Sequence, residues 1–413
     1  MDRLFTRVLA QHKPGVIKEE INVFLRRLNT ILTERKIEAT AMVGGSVAKG
    51  THLYSYDCDI FVVFSRKYQD DDLSLLLAKA VAGFRNKKVL HGSRDYFQIL
   101  HAGIIFELIP VLQIKSAADA RNVTDVSPLH VEWVNSHIKN LQDNVRLAKL
   151  FCKAQGIYGA ESYINGFSGY TLEILVIMYG GFLPMLKAVS SFHPKQIIDI
   201  AHYYASREEL LGRMNAAKLQ SPLIVVDPVQ SDRNAAAAVN EEQFSKFIIA
   251  AKLLLQKPSP DFFIKKSFSL SQLHHQSKTL GVSLLLFSVI PVDGKEDVVG
   301  SKLIKAFEYI TNKVKTAEFH ILNKGWQWGK EVYFWYFVYP KELPRYERHI
   351  GPLVYSANHH IVAFIKKHKS FIVENNRLIA FRRRKYNTLA AFAKGVGNDA
   401  SIKEKVKKIK SLT

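Results

Sequence analysis

The chain has 413 residues, more than one hydrophobic core usually organises, so it is expected to divide into two to four domains. A hydrophobic content of 47% excludes a disordered chain, and only two cysteines, Cys58 and Cys152, exclude a disulfide framework or an all-cysteine zinc cluster. With 58 lysines and arginines against 37 acids the net charge is +21, which points to a polyanionic partner, nucleic acid before an anionic membrane surface.

In chain order, the opening MDRLFTRVLAQHKPG is too polar for a signal peptide, which points to an intracellular, cytoplasmic protein. Ile17, Ile21, Phe24, Leu25, Leu28 and Leu32 recur at helical spacing and predict a helix from about Pro14 to Lys36. ATAMV reads as a short strand, G-G-S as a turn and CDIFVVF as a second strand. A helix over 72–85 follows. YFQILHAGIIFELIPVLQI then reads as a hairpin turning near Ala102-Gly103.

On the second strand Asp57 and Asp59 should project together while Cys58 turns away. Two carboxylates this close repel unless a cation sits between them. Hard oxygen donors of this kind suit Mg²⁺, which takes one or two carboxylates and completes its shell with water and substrate phosphates. Glu107 lies mid-strand between Ile105 and Ile109, where a lone buried acid is costly; joining the same metal would resolve that cost. The bland alternative leaves the aspartates flanking an edge strand and Glu107 paired with a lysine. The turn before them, with Gly45, Ser46 and Lys49, suits a triphosphate, because backbone N–H groups of a Gly-rich turn cradle phosphate.

From Pro128 to about Lys257 the pattern is helical. GYTLEILVIMYGGFLPML is interrupted by Glu173, a glycine pair and Pro184, and reads as a buried helix and turn, not a membrane span. SPLIVVDPVQSDRNAAAAV predicts a short strand, a proline turn and a new helix from near Asn234. Strands return after Pro260 in SLLLFSVIPV, EVYFWYFVYP, SFIVE and RLIAFRRRKY, with helices over GSKLIKAFEYITNKV and LVYSANHHIVAFIKKH. SIKEKVKKIKSLT reads as a basic helix or a frayed tail.

G-G-S, then D-x-D, then an acid three residues before a proline resembles the nucleotidyltransferase superfamily that includes DNA polymerase beta. SPLHVEWVNSHI, VRLAKLFCKAQGIYGAE, INGFSGYTLEILVIMYGGF and DPVQSDRNAAAAV narrow the resemblance to the archaeal (class I) CCA-adding enzymes. It runs in order from about Lys18 to Phe247 and continues through ERHIGPLVYSANHHIVAFIKKH and ENNRLIAFRRRKY. The resemblance implies an α+β multidomain fold: a nucleotidyltransferase head over 1–127, a helical central domain over 128–257, and an α/β body and tail over 258–413 that grips the tRNA acceptor stem. It implies template-independent addition of C, C and A to tRNA from CTP and ATP, with two Mg²⁺ ions. Asp57, Asp59 and Glu107 match the metal-binding acids. Gly45, Ser46 and Lys49 match the triphosphate turn, and Ser127, His130, Lys149 and Tyr158 match nucleotide-binding positions. Arg233 matches the arginine that helps read the base. Two residues depart from the usual pattern: Glu107 stands where aspartate is common, and Lys49 where arginine is common.

A template-free enzyme must accept every tRNA, so it should read A-form shape and phosphates. Arg382, Arg383, Arg384 and Lys385, beside Phe381 and Tyr386, suit that task, since cations near aromatics hold backbone and stack on bases. The competing readings are a poly(A) polymerase or oligoadenylate synthetase-like enzyme and a catalytically silent RNA-binding homologue. No membrane partner is expected, and a homodimer is left open.

Overall fold

A computed structural model describes residues 1–12, 18–53 and 57–413. The expected helix start at Pro14 to Ile17 lies outside the described residues. The chain divides into two compact units, Met1–Lys266 and Ser267–Thr413.

The first unit opens with α1 (Asp2–Gln11), a helix the sequence reading did not anticipate. In α2 (Lys18–Glu34), Ile21, Phe24, Leu28 and Leu32 form the buried stripe that their helical spacing demands. After it come β1 (Ala39–Val43), a one-turn helix α3 (Gly45–Ala48) where a plain turn was expected, and β2 (Cys58–Phe64). Next are α4 (Leu73–Ala80), β3 (Lys87–Leu90), β4 (Tyr96–His101) and β5 (Ile104–Leu112). The strands form one sheet in the order β1-β2-β5-β4-β3, with β2 and β5 parallel and the other pairs antiparallel. The β4–β5 hairpin turns at Ala102 and Gly103, whose φ values of 50° and 78° make the left-handed corner of a two-residue loop. Strand alternation divides the sheet's chemistry. Cys58, Ile60, Val62, Phe106 and Leu108 pack under α2 and α4, and Asp59 and Glu107 point to the opposite face.

The rest of this unit is mainly helical: α5 (Ser127–His137), α6 (Gln142–Ala154), α7 (Gly169–Tyr179) and α8 (Phe182–Val189). Then follow β6 (Gln196–Ile198), α9 (Arg207–Arg213), β7 (Leu223–Asp227), β8 (Gln230–Asn234) and α10 (Glu241–Gln256). Helices α7 and α8 meet at 95° across Gly180-Gly181, both at positive φ, and bury most of their apolar side chains in one core with α6 and α10. Among the described residues no single helix is long and apolar enough to cross a membrane. Phe5 and Val8 of α1 join this core, not the core beneath the sheet.

Two expectations are corrected here. Asn234 does not start a helix; it ends β8, because its buried Oδ1 accepts the N–H groups of Val225 and Ala236, both at 2.9 Å, and so closes a β7–β8 hairpin. The helix starts only at Glu241, where the Asn240 side chain accepts the Gln243 N–H at 2.9 Å as an N-cap. The boundary expected after Lys257 also comes too early. Phe263 is buried against Phe5 and Phe182, at ring-centre distances of 6.2 and 5.9 Å, and carries the first unit on to Lys266.

The second unit contains α11 (Leu270–Thr279), β9 (Ser283–Pro291), α12 (Glu296–Thr316), β10 (His320–Trp328) and β11 (Val332–Tyr339). It continues through β12 (Tyr346–Leu353), α13 (Asn358–Lys367), β13 (Phe371–Glu374), β14 (Arg377–Arg383), α14 (Leu389–Gly397), α15 (Ala400–Lys403) and β15 (Val406–Ser411). Two sheets result, β10-β11-β9-β15 and β12-β14-β13. Asn375 and Asn376, at φ 48° and 60°, make the β13–β14 turn. The terminal stretch, expected as a basic helix or a frayed tail, instead forms β15, antiparallel to β9. A register shift between Val406 and Lys408 lets Val406 and Ile409 both face inward although they are an odd number of residues apart.

Both thiols are buried, Cys58 beneath the five-stranded sheet and Cys152 in the helical core. Burial, with Asp59 adding to it, pushes Cys58 up to about 12, and burial raises Cys152 as well.

Candidate active site

The open face of the sheet carries one row of polar side chains. Asp59 on β2 stands in register with Glu107 on β5, and Glu107 with Gln98 on β4. Gln98 donates to Glu107 Oε1 at 2.6 Å. Burial, then repulsion from Glu107 and from Asp57, pushes the Asp59 carboxyl up to about 7, with Lys49 opposing. Asp57 is exposed and lies just before β2, not on the strand as expected.

The turn ahead of β2 is built around Asp59. Gly44 N–H donates to Asp59 O at 2.8 Å. Gly45 has φ +53°, and a Cβ there would lie 1.6 Å from Asp59 Oδ2. The carboxylate therefore rests on the space where any other residue would carry its side chain. Ser46, the next residue, accepts the Thr51 N–H on its carbonyl at 2.9 Å.

Among the described residues no three His, Cys, Asp or Glu side chains converge as a closed metal cage. The donor set fits Mg²⁺ all the same. Mg²⁺ needs only one or two carboxylates when phosphates and water fill its shell, and a carboxyl raised to about 7 by burial and then by its acidic neighbours is one that a divalent cation would stabilise in ionised form.

Beyond the turn, the loop 50–52 is fixed to the helical layer. Arg146 on α6 donates to the carbonyls of Gly50 and His52 at 2.5 and 3.1 Å. Fully buried Thr51 donates to Glu173 Oε1 at 2.6 Å. Lys49 Nζ lies 2.6 Å from Glu173 Oε2, and Lys149 Nζ 3.2 Å from Glu173 Oε1. Lys149 also donates to Thr51 O and Oγ1 at 3.2 and 3.0 Å. Lys49, expected at the triphosphate, and Lys149, expected at the nucleotide, thus meet on one carboxylate of α7 and are buried, 9% exposed for Lys49 and 3% for Lys149. Burial alone would raise the Glu173 carboxyl, but Lys49, Lys149 and the Thr51 hydroxyl hold it below the usual range. Burial lowers Lys149, and Lys49 adds to that shift.

A second buried carboxylate, Asp227 at the end of β7, gathers Arg233, expected at the base, and His130, expected at the nucleotide. His130 Nε2 lies 3.0 Å from its Oδ2, Arg233 pairs with the same oxygen, and Tyr170 O–H donates to Oδ1 at 3.0 Å. The Val229 N–H closes the set at 3.0 Å. Burial opposes ionisation of Asp227, but the bond and charge of His130, then Arg233, hold its carboxyl low. The rings of His130 and Tyr170 lie 4.2 Å apart, and Lys49 Nζ is 5.7 Å from the Tyr170 ring centre, so Tyr170 lies between the two clusters. Ser127 opens α5 one turn before His130. Tyr158 lies beside Lys153, 5.2 Å from its ring centre, and burial raises its hydroxyl pKa.

Glu173, Asp227 and Tyr170 were not singled out from the sequence. Glu173 carried a usable signal, an acid alone in GYTLEILVIMY, the same signature that marked Glu107.

In the second unit the basic run does not present one cationic face. The Arg384 side chain is 9% exposed and spans Glu318 at 2.5 Å and Glu347 at 3.1 Å. Arg382 pairs with Glu347, its cross-strand neighbour on β12. Arg383 and Lys385 are exposed, as is Phe381. The expected row of four cations is corrected accordingly: Arg384 turns inward as an ion-pair residue.

The sequence model described as "Nucleotidyltransferase domain" matches residues 25–118. "tRNA nucleotidyltransferase, second domain" matches 143–264, and "CCA-adding enzyme, C-terminal domain" matches 284–409. Among solved structures, a cytoplasmic RNA terminal U-transferase shares the fold at TM-score 0.51 and 15% identity, over 64% of this chain and 98% of that one. Structures of the Cid1 poly(U) polymerase give the same values. The CCA-adding enzyme of Nanoarchaeum equitans is 34% identical over 81% of this chain and 82% of its own. That of Sulfurisphaera tokodaii is 30% identical over 92% and 88%. Matched in order along its length by all three sequence models and by these relatives, the chain belongs to the family of CCA-adding enzymes, and it is a nucleotidyltransferase.

Proposed function

We propose that this protein extends the 3′ end of tRNA with C, C and A from CTP and ATP, without a nucleic-acid template, releasing pyrophosphate at each step. The observation that carries this reading is the Asp59–Glu107 row set beside the Gly45 turn. The terminal RNA hydroxyl oxygen bonds to the α-phosphorus as the bond to the β-phosphate oxygen breaks. Asp57, Asp59 and Glu107 would hold two Mg²⁺ ions. Bound there, Mg²⁺ would lower the pKa of the attacking hydroxyl and neutralise the leaving pyrophosphate. The turn of Gly45 and Ser46, with Lys49, Lys149 and Tyr158, takes the triphosphate, and Ser127 and His130 orient the nucleotide. We assign nucleotidyl transfer to the sheet of the first unit, nucleotide grip to its helical layer, and the acceptor stem to the second unit, and we place the protein in the cytoplasm.

Base choice follows from hydrogen-bond pattern. On the Watson–Crick edge cytosine and adenine each show an amino donor beside a ring-nitrogen acceptor; uracil and guanine do not. Arg233 is donor-only with five N–H groups, and its bond to buried Asp227 fixes the guanidinium while further N–H groups stay available for a ring nitrogen. A polar pocket left unpaired by the wrong base discriminates by about 10⁴-fold. Single-turnover addition of each of the four nucleotides to tRNA ending before C, C–C and A tests the reading. C, C and then A should be added and stop; an A-only or U-only tail overturns it. Arg233→Ala should weaken CTP and ATP use together and raise UTP misincorporation relative to CTP, with Asp227→Asn shifting discrimination in the same direction. Unchanged discrimination in Arg233→Ala removes Arg233 from base reading.

For RNA grip, the exposed cations are the ones to test. Arg383→Ala and Lys385→Ala should each flatten the log–log salt dependence of acceptor-stem binding by about 0.7–0.9 for each phosphate no longer neutralised, with melting unchanged. Arg384→Ala should instead lower the melting temperature, because it leaves Glu318 and Glu347 without their shared partner.

A further inference from the structure

The two lysines that the triphosphate needs are already occupied. An ammonium has three donors, and all three of Lys149 are spent inside the protein, on Thr51 O, Thr51 Oγ1 and Glu173 Oε1. Lys49 contacts the other Glu173 oxygen at 2.6 Å. Glu173 itself is fully buried on α7, facing a loop that follows the catalytic turn. Two ammonium groups buried on one carboxylate need an anion between them, and in this structure a side chain supplies it.

We propose that Glu173 is a positioning residue that stands in for the substrate's phosphates: it holds Lys49, Lys149 and Thr51 in place while the site is empty, and the triphosphate takes over those donors when it binds. This rests on the reading of the site as a nucleotide site. The sign of its effect follows from comparing two states. Loss of the Glu173 charge leaves both lysines uncompensated in the empty protein. In the bound protein the phosphates still compensate them. The loss therefore costs the empty state more than the bound state, so binding must tighten. A carboxylate that merely packed α7 against the loop would loosen the site on removal, and binding would weaken.

The test is binding of inorganic tripolyphosphate and of CTP to the whole protein in EDTA, by calorimetry, for the wild type and Glu173→Gln. The expected result is tighter tripolyphosphate binding in the variant, by about 5- to 150-fold, the usual range of coupling between sites. The rise in melting temperature on adding tripolyphosphate should also be larger than in the wild type. Glu242→Gln, the same charge change at an exposed position on α10, should not tighten binding. Should Glu173→Gln fail to fold, Glu173→Asp keeps the charge but shortens the reach, and should tighten binding by a smaller factor. Equal or weaker tripolyphosphate binding in the folded variants overturns the proposal and leaves the nucleotide reading standing. A wild-type protein that binds neither CTP nor tripolyphosphate overturns both.

Discussion

Asp59→Asn should reduce nucleotide addition by at least about 10³-fold while making the metal-free protein more resistant to heat. The first effect follows from the several kcal/mol of charge stabilisation that a metal ligand supports, with each tenfold in rate worth about 1.4 kcal/mol. The second follows from the direction of the Asp59 shift. A carboxyl raised to about 7 by burial, Glu107 and Asp57 is less comfortable ionised in the folded chain than in the unfolded one. The folded state therefore bears a cost that is absent below the unfolded carboxyl range, grows as pH rises through it, and is complete above about 7. Asparagine carries no charge and removes that cost. Melting in EDTA at neutral pH and single-turnover addition with Mg²⁺ check the two halves. A variant that loses activity and also melts lower would mean that Asp59 holds the fold together.

Gly45→Ala should cost both stability and rate. At φ +53° any side chain strains the backbone by about 1–2 kcal/mol. The new methyl would also fall 1.6 Å from Asp59 Oδ2 and 2.6 Å from its Cγ, so the carboxylate must move. A displacement of about 1 Å at a reacting centre can cost about 10²-fold. Gly103→Ala separates the two terms. Its φ is +78°, but nothing lies within 4 Å of the position its Cβ would take. It should show the backbone cost in melting and keep full addition. Equal activity in both variants would show that the Gly45 turn does not set the position of Asp59.

The sheet and its acid row were legible because each left a mark along the chain. D-x-D entering an apolar strand, and Glu107 isolated among Ile105 and Ile109, are local signals. The register that sets Asp59 beside Glu107 follows once both strands exist. The buried hubs were less legible, because their partners come from far away in sequence. Glu173 meets Lys49 across 124 positions and Asp227 meets His130 across 97, and no local period encodes such a pairing. Two elements were misread where local propensity lost to tertiary context. The alanines after Asn234 favour helix, but the buried Asn234 amide closes a hairpin instead. The lysine-rich VKKIKS favours a solvated helix, yet an available edge of β9 makes it a strand. The charge run at Arg382 to Lys385 concealed its own division, since Glu318 lies in the turn between α12 and β10 and Glu347 on β12.

The placement of the two cysteines gives the molecule a pair of internal clocks. A thiol reacts as thiolate and only when reached by reagent, and both are buried with their ionisation pushed upward. Each therefore reacts only in the moments when its own layer opens. Cys58 keeps time for the sheet that carries the acids, and Cys152 for the helices that carry Lys149 and Glu173. Local opening is not uniform within a folded chain, so the two rates separate the breathing of the five-stranded sheet from that of the layer beside it, with no label engineered into either.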